Sequence, residues 1–430
     1  MNDAVLDPQD TGPSKGLDTI SLLSSDARLQ GRPKLCSDCG LCDSTLKGRM
    51  SSACIFVRNQ TAEIEQRLHG RTRRPDDERR FGIHRAQYAA RMRRPNPKAQ
   101  WSGIVTTLGA RLLEQGKVEA VITTGAAAGT RFKSEPVLAR TPEEVLATAG
   151  NKPCLSPNLS LLDQVREQGI KRLAFIGTSC QVHMLRAVEA ELGLEQLYVI
   201  GIPCSDNVTY PDLEYFLTQV SRSPQTIVHY EFMQDFSLWM RHENGQKERV
   251  NYIDFPMDKL HGIFPSSCLS CFDYPNTLCD LTVGYMGAEL GWQWVLARTA
   301  IGEELFELIR PELELGELTS SGDRTRGMPH YIARLTQPPG AKKPPFLVRK
   351  LVAYMQRKKG SKGLEFARAI IEMKLLRNLN YVRSKFPRFE ARVVPDHVYQ
   401  TLEPYADKYQ EVFGRPLSPQ TEDGAAGRCD

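Results

Sequence analysis

Cys36, Cys39 and Cys42 fall at strict three-residue steps in "CSDCGLCD", and Cys54 follows after eleven further residues. Zinc takes four tetrahedral donors, usually as two separated pairs. Thiols at consecutive i, i+3 steps suit instead a loop wrapped around three corners of an iron–sulfur cubane, with the fourth thiolate supplied from further along the chain. Cys54 is followed by Ile55 rather than by proline, so this copy departs from the bacterial ferredoxin run. Zinc stays open as the alternative.

The eleven cysteines are an odd number, which argues against a fully paired disulfide framework. The N-terminus is polar and carries acids, and no apolar run approaches the roughly 18–20 residues that span a bilayer. The expectation is a soluble chain in a cytosol or a comparable reducing compartment. Its 430 residues are enough for two or three domains. The net charge of +5 is unevenly spread: Arg67 to Arg94 holds ten arginines against three acids. That stretch reads as a solvated helical face or as a docking surface for an acidic protein. No nucleic-acid signature accompanies it.

From residue 101 helices and strands alternate. "GIVTTLGARLLEQGK" has helical apolar spacing, "VEAVITTG" is β-branched, and "TPEEVLATAG" opens with a Thr-Pro helix start. "KRLAFIGTSC" and "EQLYVIGIPC" read as buried strands separated by a helix. The fold class expected is α/β, with a mostly parallel sheet forming a flavin-binding core. A hairpin is expected around "ENGQ". The organisation expected is a flexible tail over 1–30, an iron–sulfur and Arg-rich segment over 31–100 and an α/β flavin-binding region over 101–225. A β-rich region with second-cluster ligands follows over 226–340, then a basic helical region over 341–400 and a tail over 401–430.

A second cysteine set is dispersed. Cys180 and Cys204 follow strands, where parallel sheets place their sites, and Cys268 and Cys271 form a C-x2-C pair. Buried structural cysteine is the alternative for all four. A cluster handles one electron at a time, and a flavin mediates between that regime and two-electron chemistry. No G-x-G-x-x-G follows a strand, so a Rossmann site is not supported. The Gly-rich loop after "VEAVITTG" offers Arg131 and Lys133 to a pyrophosphate. The helix opened by "IGTSCQV" offers its N-terminus, with Gly177, Thr178 and Gln181.

These motifs, with "WSGIVTT", "LSPNLSLL", "HYEFMQDF", "PSSCLSCFDYPNTLCDLTVGYMG" and "KGLEFAR", make the chain resemble the deazaflavin-reducing hydrogenase beta subunit family from about residue 34 to 390. It is most similar to the chlorophyll-metabolism branch, whose members reduce the 8-vinyl group of 3,8-divinyl (proto)chlorophyllide a or the 7-hydroxymethyl group of chlorophyll a. The resemblance implies FAD and two 4Fe–4S clusters reduced by ferredoxin. Electrons would pass through the clusters to the flavin, and a hydride to the vinyl carbon. The implied ligands are Cys36, Cys39, Cys42, Cys54, Cys180, Cys204, Cys268 and Cys271. Ser156 and Asn158 of "LSPNLSLL" join Arg131, Gly177, Thr178 and Gln181 as flavin-binding candidates. It makes ferredoxin the candidate partner for the Arg-rich stretch, through Arg73, Arg74 and Arg80. An electron-transfer subunit of a larger complex is the reading from another class.

The proton donor is not identified by sequence; Asp206 and Asp235 are candidates. Trp292 and Trp294 of the compact "GWQW" segment, which aligns the chain with the vinyl reductases, would stack on a macrocycle or pack on a sheet face. In "FLVRKLVAYMQRKK", Leu347, Val348, Leu351, Val352 and Met355 form one stripe. It reads as core-facing, with contact to a photosynthetic membrane surface as the alternative. A homo-oligomer is compatible with all of this.

Overall fold

The computed structural model describes residues 35–260, 262–337 and 343–419. The tail expected over 1–30 and the end of the one expected over 401–430, with Cys429, lie outside them.

Eight strands form one mixed sheet in the order β11-β1-β10-β9-β5-β4-β2-β3. They are β1 (Ala86–Met92), β2 (Ala120–Ala126), β3 (Ser134–Ala139), β4 (Arg172–Gly177), β5 (Gln196–Gly201), β9 (Leu281–Gly284), β10 (Gln293–Ala297) and β11 (Leu313–Gly316). The middle of the sheet, β2-β4-β5-β9, is parallel. Antiparallel strands close both edges: β3 on one side, then β10, β1 and β11 on the other. The architecture is α/β, as the alternating pattern implies. Antiparallel flanks arise where strands return without a helical crossover.

The central strands are buried on both faces, which is why they read as continuous apolar runs. Leu173 and Phe175 of β4 pack with Val182 and Leu185 of the Ser179–Val188 helix. Ala174 and Ile176 pack with Ile104 and Leu108 of the Ile104–Glu114 helix on the opposite face. The helix at Pro142–Ala147 starts as its sequence implies, with a reciprocal Thr141–Glu144 capping box.

A separate antiparallel sheet of β6 (Ile227–Met233), β7 (Ser237–His242) and β8 (Lys247–Asn251) contains the hairpin around "ENGQ". There Gly245 supplies the positive φ of 81° that the tight turn requires. This sheet packs against the Tyr210–Val220 helix. The 22-residue Leu364–Lys385 helix lies along a third core with Phe81, Trp294 and Leu296. Residues 401–419, expected within a tail, join that core: Ala406–Phe413 is helical and Tyr409 is fully buried.

The Arg-rich stretch is not a solvated helix. Arg73 pairs with Glu65 at 2.7 Å and Arg80 with Glu372 at 2.6 Å, all four side chains being largely buried. The stretch ends as an interior strand, β1. The stripe on Phe346–Lys359 is not core-facing either. Leu347, Val348, Leu351 and Met355 are exposed, and the helix turns Ala353 inward instead. A helix so near the surface has only one shallow side to bury, and its small alanine fits there.

Candidate cofactor and electron-transfer site

The thiols gather in two neighbouring sets. Cys36, Cys39 and Cys42 lie on a loop whose Cys39 carbonyl accepts from Leu159 N–H at 2.8 Å, and Cys54 follows the short Met50–Ala53 turn of helix. Gly40 has φ +95°, and a Cβ there would meet the Pro157 carbonyl oxygen at 2.3 Å. Only glycine lets this loop press on the Pro157–Leu161 turn.

Cys180 stands at the start of the helix after β4, and Cys204 lies in the loop after β5. Both therefore occupy the carboxyl ends of adjacent parallel strands. The turn carrying Cys268 and Cys271 is held from behind: Asn378 donates to both of their carbonyls, at 3.1 and 2.6 Å. Lys374, on the same helix, bonds the Ser205 carbonyl and Asp206.

Burial pushes the Cys39 thiol well up, and the neighbouring Cys180, Cys54 and Cys36 add to it. Cys54 is pushed up to about 11 by burial. Burial also lifts Cys268 and Cys271 to about 12 and raises Cys204; Cys180 adds to all three, and nearby Lys374 opposes. Thiolates gathered in low dielectric repel one another, and a cationic metal centre reverses that penalty. No described cysteine is in a disulfide.

Four buried hydroxyls, Ser37, Ser179, Ser267 and Ser270, make no hydrogen bond among the described residues. Each is the sequence neighbour of a cysteine: Cys36, Cys180, Cys268 and Cys271 respectively. Orphaned buried donors need an acceptor, and sulfur atoms of an iron–sulfur centre are acceptors of that kind. The donor set and its surroundings fit such clusters. Among the described residues no group of three or more His, Cys, Asp or Glu side chains is arranged to hold a single metal ion.

A cavity of about 410 Å³ opens at the carboxyl ends of the parallel strands. Ser156, Gly177, Thr178, Gln181, Cys204 and Asp206 line it, so the second thiol set meets the cavity through Cys204. Thr178 N–H donates to Gln181 Oε1 at 3.0 Å, and Gln181 Nε2 donates to the Ser156 carbonyl at 2.7 Å. Trp101 and Tyr285 form a stacked aromatic wall, their ring centroids 4.8 Å apart. Phe216, Phe232, Phe255 and Phe264 also line it. The residues present fit a flavin: a strand-to-helix turn for phosphate and an apolar, aromatic chamber for a planar ring.

Two of the flavin candidates stand off this wall. Arg131 donates to the carbonyls of Ile227 (2.8 Å) and Gln225, fastening its loop to the smaller sheet. Asn158 is fully buried behind the wall, bonded to Thr124 and Ser156. Among the described residues the cation that does line the cavity is Lys152, whose Nζ donates to the Thr148 and Gly150 carbonyls at 2.8 Å. Burial lowers it to about 8. Its position in a Gly-Asn-Lys-Pro loop carries no recognisable motif, so sequence reasoning passed over it, as it did Lys374 and Asn378.

Of the two acids, Asp206 lines the cavity and is gripped by Lys374 (3.2 Å) and Arg377 (2.9 Å). Asp235 lies elsewhere, bonded to Arg249 at 2.6 Å. The tryptophans of "GWQW" pack on the sheet. Trp294 is fully buried edge-on to Phe81, and Trp292 lies under Arg91.

Residues 87–163 match the model of the coenzyme F420 hydrogenase/dehydrogenase beta subunit N-terminus, and residues 170–321 that of its C-terminus. The second thiol set falls inside the matched residues and the first lies before them. An uncharacterised protein of Nostoc is 43% identical over 86% of this chain and 94% of its own length. The chloroplastic 7-hydroxymethyl chlorophyll a reductase of rice is 38% identical over 86% of this chain and 82% of its own. The coenzyme F420 hydrogenase subunit beta of Methanothermobacter thermautotrophicus is 29% identical over 55% and 89%. Among solved structures, a chain of the F420-reducing [NiFe] hydrogenase complex from Methanosarcina barkeri superimposes with TM-score 0.49 at 22% identity, over 65% of this chain and 91% of that one. The chain belongs to the coenzyme F420 hydrogenase/dehydrogenase beta subunit family, in the branch it shares with a chlorophyll a reductase.

Proposed function

We propose that the chain is a ferredoxin-dependent iron–sulfur flavoprotein that reduces the 8-vinyl group of 3,8-divinyl chlorophyllide or protochlorophyllide a to ethyl. The observation that supports it most is the double membership of Cys204, which belongs to the second thiol set and also lines the cavity. Cys36, Cys39, Cys42 and Cys54 would hold one 4Fe–4S cluster, and Cys180, Cys204, Cys268 and Cys271 the other. When bound, the clusters supply electrons singly and a flavin in the cavity pairs them for delivery to carbon.

The chain's own residues have definable tasks. The turn at Gly177–Gln181 and the Lys152 ammonium would hold the flavin phosphates. The Trp101–Tyr285 wall would orient a flat conjugated ring, and the lining phenylalanines would keep water from it. Asp206 presents its carboxyl at the cavity wall, held 3.2 Å from Lys374 Nζ behind it, and is the candidate group for a proton there. Acidic ferredoxin would dock on exposed arginine, for which Arg74, Arg93 and Arg94 are available.

The identity to the rice enzyme favours a second reading, reduction of the 7-hydroxymethyl group. One assay separates the two. Anaerobic protein with reduced ferredoxin is given divinyl chlorophyllide or 7-hydroxymethyl chlorophyll a, and the pigments are resolved. Ethyl product from the first pigment alone is expected. Product from the second alone would replace the vinyl reading, and bleaching of bound flavin with neither product would leave an electron-transfer subunit.

A further inference from the structure

The helix Phe346–Lys359 presents its apolar stripe to solvent. Leu347 is 76% exposed, Phe346 and Leu351 are 58% exposed, and Tyr354 and Met355 about half. Its inward side is thin, with Ala353 alone buried. The 14 residues contain five cations and no acid. Arg349 is tied to Asp254 at 2.7 Å and Arg357 to Asn251 at 3.3 Å, both on the inward side. Lys350, Lys358 and Lys359 are exposed and make no ion pair among the described residues. Lys350 Nζ lies 4.5 Å from the Phe346 ring centroid and Lys358 Nζ 5.2 Å from that of Tyr354, so cations edge the apolar face.

The inward side of the helix is fastened beside the cavity. The segment to which Arg349 and Arg357 fasten the helix, residues 251–254, runs directly into Phe255, Met257 and Leu260, which line the chamber. Met257 is itself 52% exposed, so apolar surface reaches the cavity wall from outside.

We propose that this helix docks flat on an anionic lipid bilayer, its leucines and aromatics entering the headgroup boundary and Lys350, Lys358 and Lys359 contacting lipid phosphates. Apolar area combined with unpaired lysines at its rim is the chemistry that such a surface recognises. A protein partner of like complementarity would need acidic groups around an apolar ridge; a bilayer supplies both over any area. No described helix is long and apolar enough to cross a membrane, so the contact is to one leaflet. That lipophilic pigment enters the cavity from this side rests on the function proposed above; the docking itself does not.

The test is co-sedimentation of the full chain with vesicles, without pigment or ferredoxin. Wild type is expected to bind vesicles containing phosphatidylglycerol and to bind pure phosphatidylcholine about a hundredfold more weakly, the contribution of three lysines. Leu347→Glu with Leu351→Glu should abolish binding, and Lys350→Glu with Lys358→Glu should remove the lipid preference. All four positions are exposed, so the variants fold, and circular dichroism checks it. Wild type remaining in the supernatant with both vesicle types would overturn the proposal. So would unchanged binding of the leucine variant, or a wild-type oligomer that the leucine variant converts to monomers while no vesicle is bound, which would assign the face to a second copy of this chain. Loss of vinyl reductase activity as a reading would leave the vesicle result untouched.

Discussion

Cys39 Sγ lies 2.9 Å from Met184 Sδ, which seats the N-terminal cysteine loop on the helix that presents Cys180. One rigid element thus joins the two thiol sets, and Cys180 is felt electrostatically by Cys39 and by Cys204, Cys268 and Cys271 alike. Such a shared helix would fix the separation between two clusters held by these sets.

Iron content tests that division. Cys39→Ala and Cys180→Ala should each lose about half of the iron and acid-labile sulfide of anaerobically prepared protein, and the double variant nearly all. Cys279→Ser is the control, since that thiol bonds the Asn276 carbonyl (3.1 Å) and Thr282 within the core. Full iron in Cys180→Ala would remove the second cluster from the account.

Gly40→Ala should act on the first set alone. Its Cβ would press on the Pro157 carbonyl from a left-handed backbone, so the loop must lift away from Leu159. The expected cost is about 2 kcal/mol of stability or more, with iron lost as in Cys39→Ala. Urea melts and iron analysis measure the two effects, and a variant with normal iron and normal melting would show the loop to be adaptable.

Much of this arrangement is legible in the sequence, and the failures have physical causes. Apolar runs such as "LAFIG" marked the parallel strands because burial on both faces leaves no polar positions. The C-x2-C-x2-C spacing marked the first thiol set, whereas Cys180 and Cys204 are too dispersed for spacing to join them to Cys268 and Cys271, and only the family resemblance grouped those four. Arginines were misread because charge runs look solvated until their partners are known: Glu65 lies eight residues before Arg73, just outside the run, and Glu372 is 292 residues from Arg80. The stripe of Phe346–Lys359 has core-like periodicity, and periodicity does not say whether a helix meets protein or something else. Lys152, Lys374 and Asn378 act through tertiary neighbours, which leave no local pattern.

Glu372 is fully buried and receives Arg80, Arg324 and the Tyr405 hydroxyl, at 2.6, 3.0 and 2.7 Å. Arg80→Glu would set two carboxylates against each other there, at an expected cost of about 3–5 kcal/mol. Arg74→Glu, on the exposed surface, should change stability by less than about 0.5 kcal/mol. Ferredoxin-driven turnover at low salt should then fall in Arg74→Glu combined with Arg93→Glu, without loss of melting temperature. Unchanged turnover in that pair would move the docking surface elsewhere.

Lys152 predicts a pH dependence with a definite sign. Burial holds its folded value near 8, below the 10.5 of an ordinary lysine. A base depressed in this way destabilises the empty fold while its ammonium is buried, so the empty protein should gain stability as pH rises from about 8 towards 10.5. A bound pyrophosphate has the opposite preference, because it attracts the ammonium and loses that attraction once the proton leaves. Flavin retention should therefore fall as pH rises through the Lys152 titration, at a midpoint above 8 because the phosphates favour the charged form. Lys152→Ala should weaken retention about tenfold near neutral pH and flatten the profile, whereas Lys152→Arg, charged throughout, should hold flavin at high pH. Flavin fluorescence after gel filtration across pH 7 to 10 reads all three. An alanine variant that keeps the wild-type profile would take Lys152 out of the phosphate site.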